Sequence, residues 1–254
     1  MIVRRVIAHF RNQEWTAIAL DFLIVVIGIL FAFQITEWNE ARKDRLKERV
    51  YLSRIDVELG ESIASIEDAI RLAKERAALG EMLLLAAKDP GVASADPGRF
   101  VLALLKGGYT YSPDIRGHTF EEIKSVGDLG VLRDAQLRFD LTEFYTRVSS
   151  TAQWDYLREI RQTEFTRRAA GILTLEQIEL VAPSNEIPDI AEDEALAAHA
   201  RMMERPGFIE WLPFVAYRGD DLDAYSSWLE SAENLRSRIR MTPGFEDSEI
   251  EAGN

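Results

Sequence analysis

Cysteine is absent from the 254 residues. That absence excludes disulfides, thiolate nucleophiles, zinc ribbons, iron–sulfur clusters and covalently attached c-type haem. It leaves the compartment open, because many periplasmic proteins also lack cysteine. Basic charge is in short supply too: 30 Lys and Arg face 43 Asp and Glu, a formal net charge of −13. A nucleic-acid surface needs clustered cations to release counterions, so nucleic acid is not an expected partner. Also missing are strand-type alternation over four or more residues, a glycine-rich phosphate loop, Glu-x-x-His and Gly-x-Ser-x-Gly. The di-iron bundle and the esterase elbow therefore fail at their defining spacings. His9, His118 and His199 are scattered along the chain. No metal, cofactor or catalytic group is implied, and a non-enzymatic role is expected.

What is present is a long apolar run. Thr16 to Ile35 reads TAIALDFLIVVIGILFAFQI, with only Asp21 and Gln34 strongly polar. Its twenty residues match a helix crossing about 30 Å of hydrocarbon. Trp15 and Trp38 bracket it as interfacial anchors, giving a transmembrane helix over 15–38. A cleaved signal peptide fits worse, since FAFQITEW follows in place of a small-x-small cleavage site. Upstream, over 1–14, Ile2, Val3, Val6, Ile7 and Phe10 share one helical face and Arg4, Arg5 and Arg11 lie elsewhere, as in an amphipathic segment seated in the interface.

The flanks give opposing topologies. Arg42, Lys43, Arg45, Lys47 and Arg49 outnumber the three upstream Arg and would hold the following domain in the cytoplasm. A basic tail before a first apolar helix resists translocation, however, and long domains cross largely regardless of charge.

The 47% hydrophobic content suffices for the span and one further core. The domain over 39–241 reads as all-α, an elongated helical bundle of about four main helices, with an acidic disordered tail over 242–254. The span's helix continues past Thr36 with a coiled-coil-like stripe at Leu52, Ile55, Leu59, Ile63, Ile66, Ile70, Ala73 and Ala77, running to Asp89 with a break at Gly60. Pro97–Lys106 is a short helix with Asp96 as N-cap and Gly107-Gly108 as stop. Thr119 to Glu122 and Thr174 to Gln177 read as capping boxes. One long helix is expected over 134–170, further helices over 191–204 and 220–240, and an exposed connection at PSNEIPDIAEDE. Phe208 to Phe214 reads as core.

Val25 to Leu30, Gln34-Ile35 and Trp38-Asn39-Glu40, with Tyr51-Leu52, Asp56 and Thr119-Phe-Glu-Glu-Ile-Lys-Ser-x-Gly-x-Leu129, resemble a bacterial family of uncharacterised, N-terminally anchored single-span membrane proteins. The resemblance implies a cytoplasmic N-terminus and a domain outside the inner membrane. It implies no activity. Asp21 stands where such proteins carry Glu.

Two groups of residues are candidates for function. Asp21, Val25, Gly28 and Ala32 recur at steps of 4, 3 and 4, placing a carboxylate on one face with a small-x-x-x-small pair. A charge at that depth costs about 2.5–3.5 kcal/mol unless it is paired, neutral or snorkelling. Two readings follow: an assembly face in a homo-oligomer or against a multi-span partner, as in an accessory subunit of a proton-coupled or transport complex, or a carboxylate that reaches the headgroups beside Arg11 and favours the helix N-terminus. The second group is the loop GGYTYSPDIRGH. There Tyr109, Tyr111, Arg116 and His118 either line a ligand pocket or close the end of the bundle. A membrane-anchored scaffold, adaptor or sensor is the function expected.

Overall fold

A computed structural model describes residues 15–150, 152–182, 186–217, 219–243 and 245. The segment expected at the interface, 1–14, lies outside them, as does most of the tail. Every regular element among the described residues is helical. The chain divides into two units, Met1–Tyr51 and Leu52–Asn254, and the first helix contributes to both.

That helix, α1, runs Trp15–Ala86. It contains no proline, so the i to i−4 ladder is never forced to break. In the first unit the described side chains of the apolar run stand in the open: Phe22 is 70% exposed and Ile35 64%. Thr36 returns its hydroxyl to the Ala32 carbonyl at 3.0 Å, so this polar group is satisfied inside its own helix. The expected break at Gly60 does not occur. Gly60 keeps ordinary helical backbone, and a Cβ there would lie 2.9 Å from the Arg236 guanidinium carbon. The glycine serves close approach, not a bend.

In the second unit the buried seam of α1 follows steps of three and four: Leu52, Ile55, Leu59, Ser62, Ile66, Ala69, Ala73, Arg76, Gly80 and Leu83. A seven-residue repeat of this kind keeps one face toward its neighbours. Ser62 and Ala69 occupy the positions that hydrophobicity had assigned to Ile63 and Ile70, which are only half-buried. Polarity explains the first exchange, because the Ser62 hydroxyl donates to Glu58 O at 2.7 Å and accepts the Arg116 amide at 2.9 Å.

After α1 come α2 (Gly91–Ala95), α3 (Pro97–Lys106), α4 (His118–Ser125), a 3-10 turn (Asp128–Val131), α5 (Ala135–Ser149) and α6 (Ala152–Ala169). Then follow α7 (Leu175–Val181), α8 (Glu192–Met203), α9 (Pro206–Ile209), α10 (Leu212–Ala216) and α11 (Gly219–Arg240). The single long helix expected over 134–170 is two helices, α5 and α6. Asp96 caps α3 through the Arg99 amide, and the capping box at Thr174 and Gln177 forms as expected. The one at Thr119 does not: α4 begins at His118 with Gly117 as an N-cap that makes no side-chain bond. Thr119 and Glu122 reach α1 instead, to Glu58 and Arg54.

Helix α8 packs on α2 and α3, α7 on α3, α9 on α6 and α8, and α11 on α5. Phe100, Phe165, Met202 and Phe208 meet in the resulting core, together with Leu83 and Leu212. Burial of each such side chain contributes about 1.5–3 kcal/mol. Of the segment expected as core, Phe208 and Leu212 are buried but Phe214 is 58% exposed. The acidic connection is not wholly exposed, because Ile190 is buried and a Cβ on Gly98 would fall 2.0 Å from Pro188 O. The chain there lies directly on α3. Phe245, in the segment expected as tail, is also buried.

Candidate functional site

The loop between α3 and α4 is an extended strap laid along α1. It leaves α3 at Gly107-Gly108, where a Cβ on Gly108 would stand 2.1 Å from Phe165 Cγ, so only glycine lets the backbone cross that ring. Residues spaced along α1 then receive it. Ser65 Oγ accepts the Asp114 amide at 2.8 Å, Ser62 Oγ the Arg116 amide at 2.9 Å, and Glu58 the Thr119 amide at 3.0 Å and its hydroxyl at 2.7 Å. Arg116 pairs with Glu61 at 2.6 Å. From the other side the Tyr225 hydroxyl of α11 donates to Tyr111 O at 2.8 Å. Extended backbone has no ladder of its own, and these side chains supply the partners.

The strap splits the four loop residues singled out by sequence. Tyr109 and Tyr111 line a cavity of about 170 Å³, whereas Arg116 lies on Glu61 and His118 is exposed at the start of α4. Sequence did not suggest the rest of the lining. Leu72, Ala73 and Leu79 of α1 and Leu102 of α3 make its apolar wall. Tyr225, 1% exposed, adds a third ring, over which the Arg158 guanidinium sits at 5.3 Å. Three charges converge on the space: Glu75 and Arg76 from α1 and Lys106 from α3. Arg76 is 5% exposed and donates to Val215 O at 3.3 Å and Tyr217 O at 3.5 Å, while Lys106 Nζ lies 5.2 Å from the centroid of Tyr109. An apolar hollow with a few convergent polar groups is the usual form of a small-molecule site. One sequence signal pointed here: Arg76 is a full charge at a seam position of the α1 repeat.

A second constellation sits farther along α1. Asp56, 5% exposed, takes Arg236 at 3.1 Å and Arg240 at 2.8 Å, both from α11. Burial alone would raise its pKa, but the hydrogen bonds and charges of Arg240 and Arg236 outweigh it and hold the group below the ordinary aspartate value. One carboxylate between two guanidiniums is a structural clamp joining α1 to α11. Tyr145 nearby has its pKa pushed well up by burial, with the Glu58 charge adding to the effect. Its ring stacks on Phe120 at 4.7 Å.

On the apolar run, Val25 is 59% exposed, and a Cβ on Gly28 would meet nothing within 4 Å. Ala32 is likewise exposed. The Asp21 side chain lies outside the described residues. The face named from sequence is thus open along its described part.

These features define a protein that is all-helical among the described residues, where one helix, near the N-terminus, is long and apolar enough to cross a membrane, with a mean hydropathy reaching 1.8. The chain belongs to DUF6090, a family of unknown function whose profile matches residues 21–164, more than half of its length. No curated protein and no solved structure matches it significantly. The matched span contains the apolar run from Asp21 onward, the whole strap and most of the cavity wall, and it stops before Tyr225, Arg236 and Arg240.

Proposed function

We propose that the protein is a non-enzymatic, membrane-anchored helical module, serving as a scaffold, adaptor or sensor. The span over 15–38 holds it in a bacterial inner membrane, with the N-terminus cytoplasmic and the helical domain periplasmic. The observation that carries this reading is the exposure of the apolar run: Phe22, Leu23, Ile24, Leu30, Phe31, Phe33 and Ile35 are all more than half exposed. In water a continuous apolar surface of this kind drives association, whereas in hydrocarbon it costs nothing. Self-association through Asp21, Val25, Gly28 and Ala32 completes the reading, since small residues let helices approach closely.

A topology reporter fused after Asn254, with alkaline extraction of membranes, tests the anchor. Retention in the membrane pellet with periplasmic reporter activity is expected, and release into the supernatant overturns the reading. Because the chain has no native cysteine, single cysteines placed along 17–35 give a clean cross-linking scan. Cross-links that peak near 25, 28 and 32 are expected, and a flat profile removes the assembly face. The open Gly28 face also favours a second reading, an accessory subunit of a proton-coupled or transport complex that uses Asp21. Asp21→Asn tests the carboxylate itself: a variant that keeps its oligomeric state and every phenotype removes Asp21 from the assembly face and sinks the second reading.

A further inference from the structure

We infer that the groove between α5 and α11 binds a free α-amino acid, holding its carboxylate and its ammonium group with separate side chains. The two helices run antiparallel here, and a polar bridge closes each end of the groove. At one end Arg238 Nη1 meets Asp140 Oδ2 at 2.8 Å, and at the other Arg147 Nη2 donates to Ser231 Oγ at 2.8 Å. The bridges stand seven residues apart on α5, which at 1.5 Å per residue is about 10 Å. A volume of about 370 Å³ places the groove at the small end of ligand pockets, with room for one metabolite-sized molecule.

The charges set the chemistry. Arg238 is engaged on both sides, since Asp134 lies 3.1 Å from its Nη2. Glu143 and Arg147 are not so matched. They stand one turn apart on α5, the spacing at which a glutamate and an arginine ordinarily pair. The Arg147 guanidinium crosses to Ser231 instead, a single neutral acceptor for five N–H donors, and its Nε is buried without a hydrogen bond. Among the described residues the side chains of Glu143 and Asn234, which also line the groove, have no partner. Two opposite charges held apart at one rim are the complement of a zwitterion. The four lining charges, Asp140, Glu143, Arg147 and Arg238, cancel, which favours a ligand with no net charge. A simple anion would meet Glu143 and a simple amine would meet Arg147. In an α-amino acid the carboxylate takes the spare guanidinium donors as charge-assisted bonds, and the ammonium group donates to Glu143 and the Asn234 amide oxygen. Phe144 and Leu235, 1% and 4% exposed, make an apolar floor that favours an apolar side chain.

Such binding gives the sensor arm of the proposed function its ligand class and rests on that arm only for its biological use. It is read on purified full-length chain in nanodiscs by calorimetric titration with three probes. These are L-leucine, 4-methylpentanoate, which lacks the ammonium group, and 3-methylbutylamine, which lacks the carboxylate. Saturable leucine binding at least tenfold tighter than either analogue is expected. Glu143→Gln, at an exposed side chain that bonds to nothing in the fold, should weaken leucine about tenfold and leave 4-methylpentanoate unchanged. Arg147→Gln should weaken leucine and 4-methylpentanoate together and spare the amine. Should Arg147→Gln fail to fold, the Glu143 variant and the two analogues still decide. Absence of saturable leucine binding overturns the inference, as does an analogue that binds as tightly as leucine or a Glu143→Gln chain with unchanged leucine affinity. A membrane-retained chain without leucine binding sinks this inference alone, and leucine binding by a chain released at alkaline pH sinks the anchor alone.

Discussion

Replacing Asp56 with asparagine tests whether the clamp between α1 and α11 organises the helical body. The carboxylate accepts four guanidinium bonds, at 2.8 and 3.0 Å from Arg240 and 3.1 and 3.4 Å from Arg236. Removing one partner of a buried ion pair costs about 3–5 kcal/mol, because the other charge is stranded. Here the arginine side chains are 31% and 50% exposed and can turn to water, which lowers the expected loss to about 2–3 kcal/mol. For a body of this size each kcal/mol moves the midpoint by about 2–4 °C, so the shift should be roughly 4–12 °C. Urea unfolding of the full chain in detergent, followed by the fluorescence of the buried Trp228 on α11, reads the free-energy loss, and a thermal scan reads the midpoint. Arg71→Ala is the comparison, since its pair with Asp68 at 3.1 Å is 63% exposed on both sides and should contribute under about 0.5 kcal/mol. The pH dependence carries a second signature. The folded pKa of Asp56 lies below the ordinary 3.8, so its stabilisation is complete above that value and is lost as pH falls through the folded one. Asp56→Asn should therefore lose stability at neutral pH and show a shallower acid limb. A variant indistinguishable from Arg71→Ala, or one with an unchanged acid limb, refutes the clamp.

Ser62→Ala deprives the Arg116 amide of its acceptor on α1. A loss of about 1–2 kcal/mol should speed exchange of that amide roughly 5–30-fold, measured by hydrogen exchange, and unchanged protection would show that the strap is held elsewhere. Gly98→Ala gains about 1 kcal/mol in helix propensity, yet its Cβ would fall 2.0 Å from Pro188 O, a backbone atom that must move. A net destabilisation of about 1–3 kcal/mol is expected in the same urea assay, and a stabilised variant would place the 186–190 segment away from α3.

The helices with clean local punctuation were legible in the sequence. Asp96 and Pro97 before α3, Thr174 and Gln177 around the start of α7, and the 3 and 4 spacing through Tyr225, Ala232, Leu235 and Ile239 each specify an element by local chemistry alone. Where sequence reading failed, a residue served a distant partner in place of its neighbour. Thr119 and Glu122 have the spacing of a capping box, but Glu58 and Arg54 on α1 offer stronger, charge-assisted bonds, and the box is not made. Gly60 looks like a breaker by composition and acts as a recess for Arg236.

The α1 seam carries the same lesson into the site. Ranked by hydrophobicity, Ile63 and Ile70 belong inside, and the repeat that results is irregular. Ranked by burial, Ser62 and Ala69 belong inside, and the seam becomes a regular seven-residue repeat that includes Arg76. A strict repeat read from Leu52 would have flagged Ser62 and Arg76 as polar residues at core positions, which persist only where something pairs with them. Ser62 meets the strap and Arg76 faces the cavity beneath it. The two polar interruptions of the seam thus mark the strap and its cavity, whereas Lys106 and Tyr225 had no such local signal: their roles exist only once α3 and α11 have packed around α1.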